Sequence, residues 1–159
     1  MDKSAYIQRI SQANPVQLVV INLEIILDFL TVARESLGVP EGGFTEDIAK
    51  AKAALEQLID SLDFNVSLSH DFYNLYKYIF QLLCDAEFSS DKNSASDKLS
   101  EANDIVSALL KGWREAEANN ADMPPVAQDA PKIYAGLTYG RDGTANEYVD
   151  TDNGRGYMA

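Results

Sequence analysis

Residues 15–37 read PVQLVVINLEIILDFLTVARESL, a segment in which apolar side chains far outnumber polar ones. Pro15 is a favourable first helical residue behind a cap at Asn14, and Gly38 supplies the left-handed residue that often ends a helix. The pattern therefore predicts one long helix that runs from Pro15 to about Leu37.

The apolar residues of this helix fall into two stripes at helical spacing. The first stripe is typical of a core-facing surface and consists of Val16, Val19, Val20, Leu23, Ile26, Leu27, Leu30 and Ala33. The second stripe consists of Leu18, Ile21, Ile25, Phe29 and Val32. Only a narrow polar strip remains, formed by Gln17, Glu24, Asp28 and Thr31. Such a helix is either surrounded by neighbours in its own fold or keeps part of its surface for a partner outside the chain.

Three more amphipathic segments follow, because glycine and proline, which are costly inside helices, are concentrated elsewhere in the chain. The predicted helices run from about Thr45 to Phe64, from about Leu68 to Glu87, and from about Ser94 through Trp113. Four long helices with short connections predict an all-α fold, an antiparallel up-down four-helix bundle. We expect residues 15–118 to form this bundle and residues 1–14 to form a short N-terminal segment that caps it.

Residues 119–159 differ in composition and predict an irregular C-terminal tail, since Gly, Asp, Asn and Thr dominate there. Four tyrosines are spaced along this tail: Tyr134, Tyr139, Tyr148 and Tyr157. Two interpretations stay open. The tail is either a mobile extension or a segment that docks on its own bundle or on another protein.

The charge of the chain restricts its partners. Thirteen Lys and Arg against 25 Asp and Glu give a formal net charge of −12, which repels nucleic acid and anionic lipid. We expect neither a signal peptide nor a membrane-spanning helix, because no run reaches about 18 uninterrupted apolar residues. The sequence therefore predicts a cytoplasmic protein with no nucleic-acid and no membrane partner.

Catalytic and metal chemistry have little support in the sequence. A single Cys84 and a single His70 cannot form a disulfide within the chain or a zinc cluster of cysteines and histidines. We expect Cys84 to be a packed, inert thiol and His70 to be a partly exposed polar residue. The sequence predicts no enzyme activity, no catalytic residue, no metal site and no cofactor.

A series of short segments resembles one known family. Asn14 and Pro15, followed by a run rich in leucine and valine up to Ile21 and then by Phe29 and Leu30, resemble the first long helix of that family. Further similar segments lie in order at residues 48–51, 58–63, 75–79 and 109–113, so the similarity covers roughly residues 5–117. The family is that of the flagellar export chaperone FliS. Residues 22–25 depart from it, because they read NLEI where the family usually has Leu-Tyr-Asp-Gly.

The resemblance implies a cytosolic chaperone that binds the disordered C-terminal segment of flagellin, blocks premature polymerisation and presents the subunit for type III export. The residues expected to contact this partner in an apolar groove are Leu18, Ile21, Ile25, Phe29, Leu58, Leu62, Tyr76 and Ile79. The N-terminal segment is expected to cover the groove through Tyr6, Ile7 and Ile10 and to move when the partner binds. An alternative stays open, namely a self-associating helical bundle or an adaptor for another bacterial protein, and so does the oligomeric state of the free protein.

Overall fold

The structure is a computed structural model that describes residues 2–126 of the chain. Within this range, all regular secondary structure is helical, and the helices are α1 (Lys3–Gln12), α2 (Pro15–Ser36), α3 (Phe44–Asp60), α4 (Leu68–Glu87) and α5 (Lys92–Asn119). The predicted all-α bundle is confirmed. The four tyrosines of the predicted tail lie at residues 134–157, outside the described residues.

Helices α2 to α5 form a closed ring in which α2 packs against α3 and α5, and α4 packs against the same two helices. The start of α2 lies beside the end of α5, where the Asn14 side-chain amide donates to the Asn120 carbonyl at 3.2 Å. The end of α2 lies beside the start of α3, where the Ser36 hydroxyl donates to Asp47 at 3.4 Å. These contacts are consistent with the predicted up-down order.

The core of the bundle is centred on α2. Its fully enclosed side chains include Leu23, Ile26 and Leu30. The other helices contribute Ile48 and Leu55 from α3, Ile79 and Leu83 from α4, and Leu99 and Val106 from α5. Removing these side chains from water is the main favourable term in folding, at roughly 25 cal/mol per Å² of apolar surface.

The N-terminal segment is itself a helix, α1, which the sequence did not predict. The Asp2 side chain caps it by accepting from the backbone N–H groups of Ser4 and Ala5. A ten-residue helix is marginal alone in water, so its stability depends on its packing against α2, where Ile10 is buried. This long-range contact leaves little trace in the local sequence pattern.

Two predicted helix starts and one predicted helix end were wrong. Helix α3 begins at Phe44 behind Gly43, whose φ of +80° favours glycine, and α5 begins behind Asp91 rather than at Ser94. Helix α3 ends at Asp60 instead of Phe64. Its end coincides with a local hydrogen bond, in which the Ser61 hydroxyl donates to a carbonyl of the last turn.

By length and composition alone, α2 is apolar enough to cross a membrane, although Asn22, Glu24 and Asp28 interrupt its apolar run. About half of its most apolar 18-residue stretch is buried by the rest of the described chain. A core helix of a folded bundle can be equally apolar, and the burial of α2 between α3, α5 and α1 accounts for its composition.

Asn14 is expected to contribute more to stability than an ordinary helix cap. Its side chain accepts from the Gln17 backbone and also donates to the end of α5. The Asn14→Ala variant is expected to lose about 2 kcal/mol, because the cap and the interhelical hydrogen bond are each worth about 1 kcal/mol. The matched control is Asp91→Ala, since Asp91 caps α5 with one local hydrogen bond and is expected to cost about 1 kcal/mol.

Urea unfolding followed by circular dichroism measures both free energies. Equal losses in the two variants would contradict a role for Asn14 in joining α2 to α5.

Candidate binding groove

An open apolar groove lies at the end of the bundle where α2 and α4 begin and where α3 and α5 end. It has a volume of about 610 Å³. One wall comes from the first turns of α2, with Pro15, Val16, Leu18, Val19 and Asn22. The opposite wall comes from the end of α3, the following connection and the start of α4.

Four of the eight predicted partner residues line this groove: Leu18, Leu58, Leu62 and Tyr76. Leu18 and Leu62 are partly exposed, whereas Leu58 and Tyr76 are each about 1% exposed and form its inner surface. The structure therefore brings together residues from three different helices and one connection that the sequence could not place side by side.

The other four predicted partner residues are Ile21, Ile25, Phe29 and Ile79, and they lie in the hydrophobic core. None is more than 6% exposed. They do not line the groove, so they cannot contact a partner directly in this conformation. Their role in binding stays a prediction.

The most exposed apolar residues of the groove were missing from the sequence prediction. Val66 and Leu68 are 52% and 55% exposed, although both are large apolar side chains. They lie where the chain leaves α3 and enters α4. The signal that could have identified Val66 is its place in the connection between two predicted helices, since connections are usually on the surface.

Three aromatic side chains form a packed floor of the groove. The Phe72 ring lies 6.0 Å from the Tyr76 ring and 5.5 Å from the Trp113 ring. Burial raises the pKa of Tyr76 to about 12, and a hydrogen bond that its hydroxyl oxygen accepts from the Trp113 indole opposes this rise. The contacts fix these rings before any partner arrives, which lowers the entropic cost of binding.

Asn22 places an unpaired acceptor beside this floor. Its side-chain amide nitrogen donates to the Leu18 carbonyl at 3.0 Å, and its Oδ1 atom has no hydrogen-bond partner in the described structure. The residue is 8% exposed. A buried acceptor without a donor costs about 1–3 kcal/mol of folding free energy. Asn22 is the polar residue in the groove wall that α2 forms, whose other residues are apolar.

Helix α1 lies on the polar strip of α2 and does not line the groove. The Tyr6 hydroxyl donates to Asp28 at 2.9 Å, and Arg9 forms an ion pair with Glu24. Of the three predicted cover residues, Ile10 is buried, Tyr6 is half-buried and Ile7 is 44% exposed. The predicted cover therefore lies over a different face of α2 from the groove, and its displacement by a partner stays a prediction.

Glu24 joins three helices electrostatically. It accepts from Arg9 of α1 and, at 3.1 Å, from Arg114 of α5. Burial raises the pKa of Glu24, but the hydrogen bonds from the two arginines outweigh it and hold the pKa below its usual range. On the same face, burial and the bond to Asp28 raise the pKa of Tyr6.

Among residues 2–126, no three His, Cys, Asp or Glu side chains are grouped so that they could hold a metal ion. His70 is exposed, and its ring lies 5.3 Å from the Phe64 ring. Cys84 is a half-buried free thiol.

The Tyr6 hydroxyl is expected to hold α1 on α2. Tyr6→Phe removes a hydrogen bond to a carboxylate, worth about 1.5 kcal/mol, and should raise amide hydrogen exchange of α1 about tenfold. The matched control is Tyr78→Phe, which removes the exposed Tyr78 hydrogen bond to Glu101 between α4 and α5. Equal exchange of α1 in wild type and Tyr6→Phe would show that this bond does not hold the helix.

Acid is expected to release α1. Because the folded-state pKa of Glu24 is lowered, the stability it adds is present above the unfolded value, near 4.5, and is lost as the pH falls through the folded value. Amide NMR signals of α1 should therefore broaden or shift below about pH 4.5. The change should be weaker in Glu24→Gln, and a pH response that is the same in both proteins would contradict the account.

Comparison with known proteins agrees with the sequence resemblance. Residues 3–120, which include all five helices, match the family described as flagellar protein FliS. No protein in the curated set matches the chain. The matched range covers most of the chain, so the chain belongs to the flagellar protein FliS family, a family of soluble export chaperones for flagellin.

Proposed function

We propose that this protein binds the disordered C-terminal segment of flagellin in the cytoplasm, prevents its premature polymerisation and supports its type III export. The observation that carries the proposal is the open apolar groove with Val66 and Leu68 exposed on its wall. Exposed apolar patches of this kind are typical of protein interaction sites.

The groove suits a polypeptide partner with an apolar face. Helices that bind in grooves place anchors at positions i, i+3, i+4 and i+7, and such anchors fill pockets lined by aromatic and aliphatic residues. Leu18 and Leu62 supply partly exposed aliphatic walls, and the rings of Phe72, Tyr76 and Trp113 supply the floor. A flagellin segment with an amphipathic sequence has the matching surface.

The face of α2 beneath α1 is proposed as a second contact surface. On α2, Ile21 and Ile25 are neighbours of Glu24 and Asp28 at helical spacing, so they flank the strip on which α1 packs. If the partner displaces α1, Ile21 and Ile25 become available to it, with Phe29 one turn beyond. In this proposal, displacement of α1 lets Ile21, Ile25 and Phe29, three of the predicted partner residues that are buried in the free protein, contact the partner.

Displacement of α1 also explains how binding can remain reversible. Apolar burial contributes about 25 cal/mol per Å², but the partner loses conformational freedom when it becomes ordered. Removing α1 adds the loss of the Tyr6 and Arg9 contacts to that cost. A large interface can therefore have a moderate affinity, which export requires.

Charged substitutions on the exposed wall should weaken binding without unfolding the bundle. Val66→Asp and Leu68→Asp are each expected to weaken binding of the flagellin C-terminal segment about tenfold, because a contact worth about 1.4 kcal/mol is replaced by a carboxylate. The matched control is Phe88→Asp. Phe88 is 82% exposed and follows α4 at the other end of the bundle.

Fluorescence anisotropy of a labelled flagellin C-terminal peptide measures these affinities. Wild-type affinity in both groove variants, or equal weakening in Phe88→Asp, would overturn the groove as the binding site. A tight homodimer that does not bind the peptide and does not slow filament growth would favour the self-associating bundle instead.

A further inference from the structure

We propose that the chain's own residues 132–141 occupy the groove when no partner is bound, so that this segment competes within the same molecule for the site. The proposal concerns the free protein and does not require flagellin to be the partner. It rests on where the described chain ends, on the chemistry of the following segment, and on the charges at the groove.

The described chain ends inside the groove. The Val126 backbone N–H donates to the Ala13 carbonyl at 2.8 Å, and the Val126 side chain is part of the groove lining. The preceding turn is held by the Asn14 side chain, which donates to the Asn120 carbonyl at 3.2 Å. The residues that follow Val126 therefore start from an anchored point at the site itself.

Residues 132–141 read KIYAGLTYGR and combine large apolar side chains with two cations and no carboxylate. The charged residues among the described groove lining are Asp60 and Asp63, both exposed. Lys132 and Arg141 complement them, in a chain whose net charge is −12. Residues 142–159, in contrast, contain four carboxylates and one arginine, which makes them poorer candidates.

The chain after Val126 is long enough for residues 132–141 to reach the groove, and a weak intrinsic affinity is enough for them to occupy it. An extended chain spans roughly 3.3–3.6 Å per residue, so the six steps from Val126 to Lys132 cover up to about 20 Å. A short tether gives an effective concentration of about 1 mM. A segment with an intrinsic dissociation constant of about 0.1 mM would then fill about nine-tenths of the grooves and weaken a competing partner about tenfold.

Trp113 lines the groove and is the single tryptophan of the sequence, so its fluorescence reports on groove occupancy. The test variant is the full chain with Ile133→Asp and Leu137→Asp. The matched control is the full chain with Tyr148→Asp and Val149→Asp, which places the same charges in the acidic part of the tail. Without any partner, we expect a red shift of Trp113 emission in the test variant alone, reversed by a synthetic peptide of residues 132–141.

The second readout is binding of the flagellin C-terminal peptide, expected to be about tenfold tighter in the test variant than in the control. Unchanged Trp113 emission in the test variant overturns the proposal. So does a shift that depends on protein concentration, because it would mean that the segment comes from a second copy. A concentration-independent shift without any change in flagellin affinity supports the proposal and instead counts against the groove as the flagellin site.

Discussion

Helix α2 is apolar on almost every face, and the rest of the described structure depends on how those faces are removed from water. Helices α3 and α5 cover its two flanks, and the short helix α1 lies along the polar strip. The first turns of α2 face the groove, where α3 has already ended and α4 is only beginning. The uncovered apolar surface at the first turns of α2 is therefore part of the candidate binding site.

Helical periodicity predicted the fold well wherever a helix has a continuous apolar stripe. The starts of α2 and α4 were predicted at Pro15 and Leu68, and the capping role of Asn14 was correct. Helix α1 was missed because its stability comes from contacts with residues about 20 positions away in the chain. The end of α3 was misplaced because apolar spacing continues past Asp60, while the Ser61 side chain already bonds to the last turn.

The site was predicted only in part, for a different physical reason. The spacing of apolar residues shows which side of its helix a residue occupies. It does not show whether a neighbouring helix extends far enough along the bundle to cover that residue. Leu18 and Ile21 belong to the same stripe, yet Leu18 borders the groove and Ile21 is buried. Val66 was missed because it lies in a connection, where no helical pattern marks it.

The proposed role of α1 as a displaceable cover and the proposed docking of residues 132–141 would give α2 two covers in the free protein. Helix α1 packs on one face of α2 through polar contacts, and the described chain ends at Val126, on the opposite face. Shielding an apolar groove in the free state limits self-association, which an exposed patch of this kind would otherwise promote. On the proposed function, the same shielding would lower the affinity for the flagellin segment and so favour its release at the export step.

The most direct test of the central claim is a set of intermolecular NOEs between methyl-labelled protein and unlabelled flagellin C-terminal segment in their complex. The account predicts NOEs to the methyl groups of Val19, Val66 and Leu68, which lie on opposite walls of the groove. NOEs confined to exposed methyl groups elsewhere, such as those of Val39, would contradict it.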